Sequence, residues 1–423
     1  MRSLGTVADV SPKPSWMVVS RRRLLAVPGL VGLGILVAGC AEDAPQDTWQ
    51  PEGDNARDIQ NLQWPVFAIA GAVLLIVTAA VGWSVLRYRD KGQPIPKQSH
   101  GKPSLEIGLT VLPALILIGV AVPTLRTVMA LAETDDTECV VNITGQQWWW
   151  EIEYPTQAGC GGITEPIITS GQLVIPTEMN VLMRGTSRDV IHSFWVPRIN
   201  GKRDVVPGRI QTLRLEADRP GIYAGQCAEF CGLSHANMRM EIVALSPEDF
   251  EAWKANQLGA YVSPEAGTQA ADGEDVFLQQ CARCHQVNGL IDDKNTPDPA
   301  DDEPSIAHPE DQVYAGAAPN LTHLMSRNTF AGATWDLVTQ QCRDTIWNAS
   351  SEEFGALYLQ GVTEECFNPV DLREWIRNAP EKKPMFAEQT ELGPTGGLYR
   401  GMPALGLSED QIDDVIAYLL ELN

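Results

Sequence analysis

The sequence predicts a multidomain chain anchored in a membrane: a two-helix transmembrane hairpin, then an all-β domain, then an all-α domain. Two apolar stretches, Leu62 to Leu86 and Leu105 to Leu131, are each long enough to cross roughly 30 Å of hydrocarbon. Short β-like runs punctuated by Gly and Pro fill Cys139 to Ala244. Beyond Glu274 the apolar spacing turns helical at both ends of the segment. At 423 residues, two or three domains are expected, each able to bury its own core.

The N-terminus carries Arg21, Arg22 and Arg23, then an apolar stretch from Leu24 to Ala38 that is short for a membrane span and suits a signal peptide. It ends in Val37-Ala38-Gly39-Cys40, which resembles the lipobox of bacterial lipoproteins, whose cysteine is lipidated and becomes the mature N-terminus. An uncleaved anchor with an incidental Cys40 is the alternative. Ser20-Arg21-Arg22-Arg23-Leu24-Leu25 also resembles a twin-arginine signal. Residues 1–40 are therefore expected to be a lipoprotein-type signal peptide and 41–60 an extracytoplasmic segment.

The hairpin is expected over 61–133. Between its spans lie Arg87, Arg89, Lys91, Lys97 and Lys102 with only Asp90 opposing, so the positive-inside rule places that loop in the cytoplasm and everything after Leu131 outside. Glu106, at the cytoplasmic start of the second span, either snorkels to water or serves a proton path. Pro113 and Pro123 interrupt that helix, tolerable where it packs against other helices.

In 134–257 the β-like runs are Val140 to Thr144, Leu173 to Pro176, Val181 to Arg184, Thr212 to Glu216 and Met240 to Ala244, which read as a sandwich or barrel. Ser246 followed by Pro247, Glu248 and Asp249 looks like a capped helix start closing that domain. Small residues, Pro and Gly make 258–273 a linker. In 274–423, Ser408 and Gln411 form a capping box before the last helix, and Ile291 to Gln312 is acidic and Pro-rich, expected as an exposed insertion.

With 31 basic against 54 acidic residues the net charge is -23, which argues against a nucleic-acid partner and for a basic or uncharged one. Of nine cysteines, Cys139 and Cys160 flank one short segment and Cys342 and Cys366 another. Two local disulfides in an oxidising compartment are one reading, four buried thiols the other.

Cys227, Cys231, His235 and Met238 fall within twelve residues, with His192 upstream, a donor set soft enough to select copper. A closed zinc site usually lacks methionine. Two cysteines four apart could bridge two coppers, with His192 and His235 terminal, Met238 a weak axial ligand and the Glu229 carbonyl filling the other axial site. Spacing does not choose between one copper and two. Cys281-Ala282-Arg283-Cys284-His285 is a haem c attachment motif, with His285 the proximal ligand. Ala318-Pro319-Asn320-Leu321 and Met402-Pro403-Ala404 lie downstream of it, as in class I cytochromes c. A His/Met pair raises the potential. Met402 is the expected distal ligand and Met385 its rival, while His308 and His323 are weaker candidates.

Cys-x-Glu-x-Cys-x-x-x-His-x-x-Met at Cys227 to Met238, preceded by Asp189-Val190-Ile191-His192-Ser193-Phe194, is similar to cytochrome c oxidase subunit II. Gly145 to Tyr154, with its tryptophan triplet, resembles that family's aromatic segment, Lys202 to Gly208 its following loop, and the two spans its hairpin. The resemblance covers roughly residues 60 to 255 and implies a cupredoxin-like Greek-key domain holding a dinuclear CuA centre. His192, Cys227, Glu229 through its carbonyl, Cys231, His235 and Met238 are the implied ligands. It further implies that the Glu229 side chain reaches a magnesium site shared with subunit I, that electrons enter at an exposed Trp148, and that Glu106 lies at the mouth of a proton pathway. At least one of Trp149 and Trp150 is expected to serve packing alone. Retained copper ligands imply a cytochrome c type donor, since quinol-oxidising relatives lose them. Pro319 would orient His285 through its carbonyl, a role that tunes the ligand from behind.

The order of hairpin, copper domain and cytochrome c domain resembles subunit II of oxidases that carry their own cytochrome. It implies electron transfer from haem c to CuA and on to subunit I for dioxygen reduction coupled to proton pumping, in the plasma membrane of a bacterium. Subunits I and III and an upstream cytochrome bc complex or cytochrome c are the implied partners. A membrane-anchored shuttle, a copper-handling lipoprotein and the copper subunit of a nitric-oxide-reducing relative are the alternatives.

Overall fold

The computed structural model describes residues 44–92, 94, 100–134, 137–156, 160–282, 284–292, 303–304, 318–386 and 401–423. The signal peptide with Cys40, His308 and most of the acidic insertion lie outside the described residues.

Two long helices come first, α1 (Asp54–Arg87) and α2 (Pro103–Leu131). Along both, leucines, isoleucines and valines face outward, as helices solvated by lipid must. At 1.5 Å per residue α1 is about 51 Å long, well over the hydrocarbon thickness. Its first turns therefore stand outside the expected span. Asn55 and Ala56 are buried there, and Arg57 pairs with Asp54 and Asp218, each at 2.7 Å. Glu52, just before the helix, accepts from Arg198 Nη2 and Arg219 Nε, both at 2.9 Å. A Cβ on Gly53 would strike the Glu216 carbonyl, so the chain passes the β domain at backbone distance.

The β domain packs two main sheets. One has the order β3-β2-β1-β5-β8, from β1 (Cys139–Gln146), β2 (Trp149–Tyr154), β3 (Ile167–Ser170), β5 (Val181–Ser187) and β8 (Gln211–Leu215). The other is β4-β10-β9, from β4 (Gln172–Pro176), β9 (Gly221–Gln226) and β10 (Arg239–Leu245). A short pair, β6 (His192–Phe194) with β7 (Arg203–Val205), stands apart. Parallel pairing of β1 with β5 and of β4 with β10 breaks the simple meander, as in a cupredoxin-like Greek-key sandwich. The chain changes sheets at Gly171, whose φ of +76° is easily reached only without a Cβ. Inward residues such as Val141, Ile143, Ile152, Leu173 and Ile242 are fully buried between the layers.

Each expected run falls on a strand, though the run Thr212 to Glu216 extends one residue past the end of β8. Strands β2, β3, β6, β7 and β9 were not expected: they are short, or their sequences read first as motif or turn. Ser246 caps α3 (Pro247–Gln257) by accepting from the Asp249 N–H, and Phe250 and Trp253 turn inward from it.

The C-terminal region contains α4 (Gln269–Gln280), α5 (Gln340–Trp347), α6 (Phe354–Tyr358), α7 (Pro369–Lys382) and α8 (Glu409–Leu420). Helix α4 starts inside the stretch expected as linker, because Thr268 caps it at the Ala271 N–H and Ala270 is buried. It crosses α8 closely: a Cβ on Gly273 would run into the Asp414 carbonyl. Phe277, Ile412, Val415 and Tyr418 form the core around that crossing. The capping box of Ser408 and Gln411 is present. Disulfides join Cys139 to Cys160 and Cys342 to Cys366, which decides between the two readings of these cysteines.

Candidate functional site

Between β9 and β10 the chain leaves the second sheet and returns through a loop holding Cys227, Cys231, His235 and Met238. Strand β6 brings His192 to it from the side. The Cys227 and Cys231 sulfurs lie 3.8 Å apart. His235 Nδ1 is 3.5 Å and Met238 Sδ 3.8 Å from Cys231 Sγ, and His192 Nδ1 is 4.0 Å from Cys227 Sγ. The Glu229 carbonyl is 3.2 Å from Cys227 Sγ. Donors on separate elements thus converge on one point, and among the described residues only His192, Cys227 and Cys231 form a close, buried His/Cys/Asp/Glu group. Two thiolates, two imidazoles and a thioether facing each other fit a thiophilic metal such as copper.

The pair of thiols ionises unequally. The hydrogen bond from Cys231 holds Cys227 far below the usual thiol range, and donating that bond to Cys227 pushes Cys231 up. Asp189, three residues before His192, accepts from its Nε2 at 2.8 Å, which turns Nδ1 toward the sulfurs. No role for Asp189 was read from the sequence, although it stands in the motif. His192 also sets a limit on Gly145, where a Cβ would come within 2.9 Å of its ring.

Trp148 reaches the same loop, its Nε1 donating to the Cys231 carbonyl at 3.1 Å. The indole expected to be exposed is 2% exposed. Phe386 of the C-terminal region covers it, with ring centroids 5.6 Å apart. Trp150 is buried against His192 and Phe194, the packing expected of one member of the triplet. Glu229 is exposed, as are Phe230 at 77% and Leu233 at 56%, an apolar rim on the loop.

Cys281 closes α4, and Cys284 and His285 follow in a turn. His285 Nδ1 lies 2.8 Å from the Pro319 carbonyl, which fixes the proton there and leaves Nε2 as the donor atom. Burial lowers the His285 pKa, favouring the neutral ring that a metal requires. Two cysteines within one turn and one pre-oriented imidazole are a donor set that fits a covalently attached haem. Met385 is buried, Met402 half-buried, and both pack on the copper-domain side; Met385 Sδ would lie 2.9 Å from a Cβ on Gly401. His323 bonds the Asn423 carbonyl, 100 residues further along the chain, through Nδ1 at 3.2 Å. Glu106 sits in the first turn of α2.

Comparison with known proteins follows the same division of the chain. The family described as cytochrome C oxidase subunit II, periplasmic domain, matches residues 139–245, and its transmembrane domain matches 48–127. A cytochrome c oxidase subunit 2 from Alkalihalophilus pseudofirmus is 34% identical over 267 residues, 61% of this chain and 75% of that one. One from Bacillus sp. (strain PS3) is 29% identical over 421 residues, 95% of this chain and 97% of that one, a match that takes in the C-terminal helical region. One from Bacillus subtilis is 30% identical over 334 residues, covering 74% and 85%.

Proposed function

The chain belongs to the cytochrome c oxidase subunit II family, a membrane-bound subunit of an oxidoreductase complex with its β domain on the extracytoplasmic side, and from that premise we propose that it receives electrons at a C-terminal haem c and passes them through CuA to subunit I. His192, Cys227, Cys231, His235, Met238 and the Glu229 carbonyl would hold the copper. Cys281 and Cys284 would hold the haem, His285 and Met402 its iron, with Met385 the rival for the distal position. A dinuclear copper bound there supplies one-electron transfer with little ligand movement. Haem c supplies the same at a potential raised by a methionine ligand.

The chain's own residues do the rest. Asp189 orients His192 and Pro319 orients His285, each by accepting from the ring nitrogen that faces away from the metal. Trp148 joins the C-terminal region to the copper loop through its bond to the Cys231 carbonyl. The exposed rim of Phe230 and Leu233, with the Glu229 carboxylate beside it, suits burial against subunit I, where Glu229 would help to hold magnesium. Glu106, at the cytoplasmic end of α2, would feed protons to subunit I, whose dioxygen reduction is coupled to pumping. Subunit III and an upstream cytochrome bc complex or cytochrome c complete the assembly, and Cys40 would carry the lipid.

One observation carries the copper reading: two cysteine sulfurs 3.8 Å apart with His235 and Met238 within 3.8 Å of one of them. Low-temperature electron paramagnetic resonance of the copper-loaded full chain, with the haem signal subtracted, tests it. Hyperfine structure from one electron shared by two equivalent coppers is expected. The pattern of a single copper nucleus would overturn the dinuclear assignment and favour a shuttle.

A further inference from the structure

Trp148 is buried, yet what buries its outer face is not the domain it belongs to. The segment Lys383 to Phe386 follows α7 and lies across it. Lys383 Nζ donates to the Trp148 carbonyl at 2.8 Å and to the Ala331 carbonyl at 2.7 Å. The Pro384 carbonyl accepts from Ser234 Oγ, inside the copper loop, at 2.5 Å. Phe386 places its ring on the indole. A second strip of the C-terminal region grips the far flank: the Arg239 N–H donates to the Gly332 carbonyl at 3.0 Å, and Thr334 Oγ1 to the Asn237 carbonyl at 2.7 Å. Lys383 is 3% exposed. A lysine amino group is withdrawn from water to this degree only where fixed acceptors replace its solvation, so the arrangement depends on those two carbonyls.

We propose that Lys383 to Phe386 is a strap that reserves Trp148 for this chain's own C-terminal domain, so that a freestanding electron carrier cannot reach the copper loop and must deliver to the C-terminal domain instead. The inference rests on Trp148 being where electrons enter. One electron passes from the external carrier to the C-terminal domain, and one from that domain to the copper loop, with no atom or proton transferred. The strap thereby sets donor specificity.

Two experiments on the full-length chain test this. In the metal-free protein, indole oxidation by N-bromosuccinimide is read residue by residue by mass spectrometry. Trp49, 42% exposed, serves as the outer reference and Trp150, 0% exposed, as the inner one. Trp148 should be protected like Trp150 in the parent and react like Trp49 in Lys383→Met/Phe386→Ala, while continued protection of Trp150 shows the copper domain intact. Trp148 reacting in the parent, or staying protected in the variant, overturns the strap.

In the loaded protein a photoreduced basic soluble cytochrome c is the donor, and haem and copper absorbance are followed separately. Copper reduction in the parent should lag haem reduction and not depend directly on donor concentration. The variant should gain a copper phase without the lag, proportional to donor concentration. A lag-free, donor-dependent copper phase in the parent overturns the proposal. Adding Trp148→Phe to the variant separates the two readings: loss of the new phase supports both, whereas its persistence overturns the role of Trp148 and leaves the strap standing as the cover of the loop.

Discussion

His192 has a neighbour on each ring nitrogen, and the two decide what the ring can do. With Nε2 committed to Asp189, Nδ1 is the lone pair that faces Cys227. Asp189 is itself held by the Gln147 and Val190 N–H groups at 2.8 and 2.7 Å. Burial raises its pKa, but the bonds from His192 and the backbone outweigh burial and the net direction is downward. Asp189→Asn should therefore weaken copper binding about 10- to 100-fold, the usual cost of losing a ligand's orienting partner. Competition with a chelator measures this, and unchanged affinity would remove Asp189 from that role. Met238 is fully buried beside Cys231. Met238→Leu nearly conserves volume, so stability should change by less than about 1.5 kcal/mol. Copper should stay bound while its reduction potential shifts, and an unmoved potential would mean that the thioether is no ligand. At this scale the sequence was informative because the donors crowd into one loop. Asp189 escaped notice because a carboxylate three residues before a histidine reads equally well as a turn residue.

Among the elements, legibility followed length and alternation. Strand β1 alternates buried Val141 and Ile143 with less buried residues, and its period announces it. Strand β6 spans three residues, all buried, too few to show any period. Strand β2 carries Glu151 and Glu153 between aromatic and aliphatic residues, so its residue types drew attention before its alternation did. The crossing of α4 and α8 left only a trace in the sequence, a glycine in mid-helix, where the residue is otherwise unfavourable. Its reason is the approach of the Asp414 carbonyl. Gly273→Val should force the helices apart at a cost of about 1 to 3 kcal/mol. A lower thermal midpoint of the C-terminal region and a lower yield of attached haem are expected. A melting curve that coincides with the parent's would show that the helices do not depend on that contact.

Across the whole molecule, the contacts that join the C-terminal region to the β domain connect residues far apart in the chain and leave no local signal. Gln172 on β4 is one hub: its Oε1 accepts from the Asn328 N–H at 3.1 Å and from the Tyr358 hydroxyl at 3.3 Å, and its Nε2 donates to Glu241 on β10 at 2.7 Å. Glu241 is 6% exposed, and burial raises its pKa. The Gln172 bond and the Arg343 charge oppose that rise, and Asp336 adds to it. The sign follows from the direction. A carboxyl raised in the folded state favours folding while it is protonated, and that contribution fades as pH climbs through the folded-state value. Above it, the joined domains must bury a carboxylate with one amide as its hydrogen-bond donor. Glu241→Gln keeps the shape and the bond but removes the proton equilibrium. The stability of the variant relative to the parent should therefore rise with pH across the carboxylate range, with a slope of at most about 1.4 kcal/mol per pH unit. Urea unfolding of both chains at a series of pH values measures it, and because only the difference is read, the other carboxylates largely cancel. Parallel curves would show that Glu241 titrates alike in the folded and unfolded states, and that the junction between the domains gains nothing from its proton.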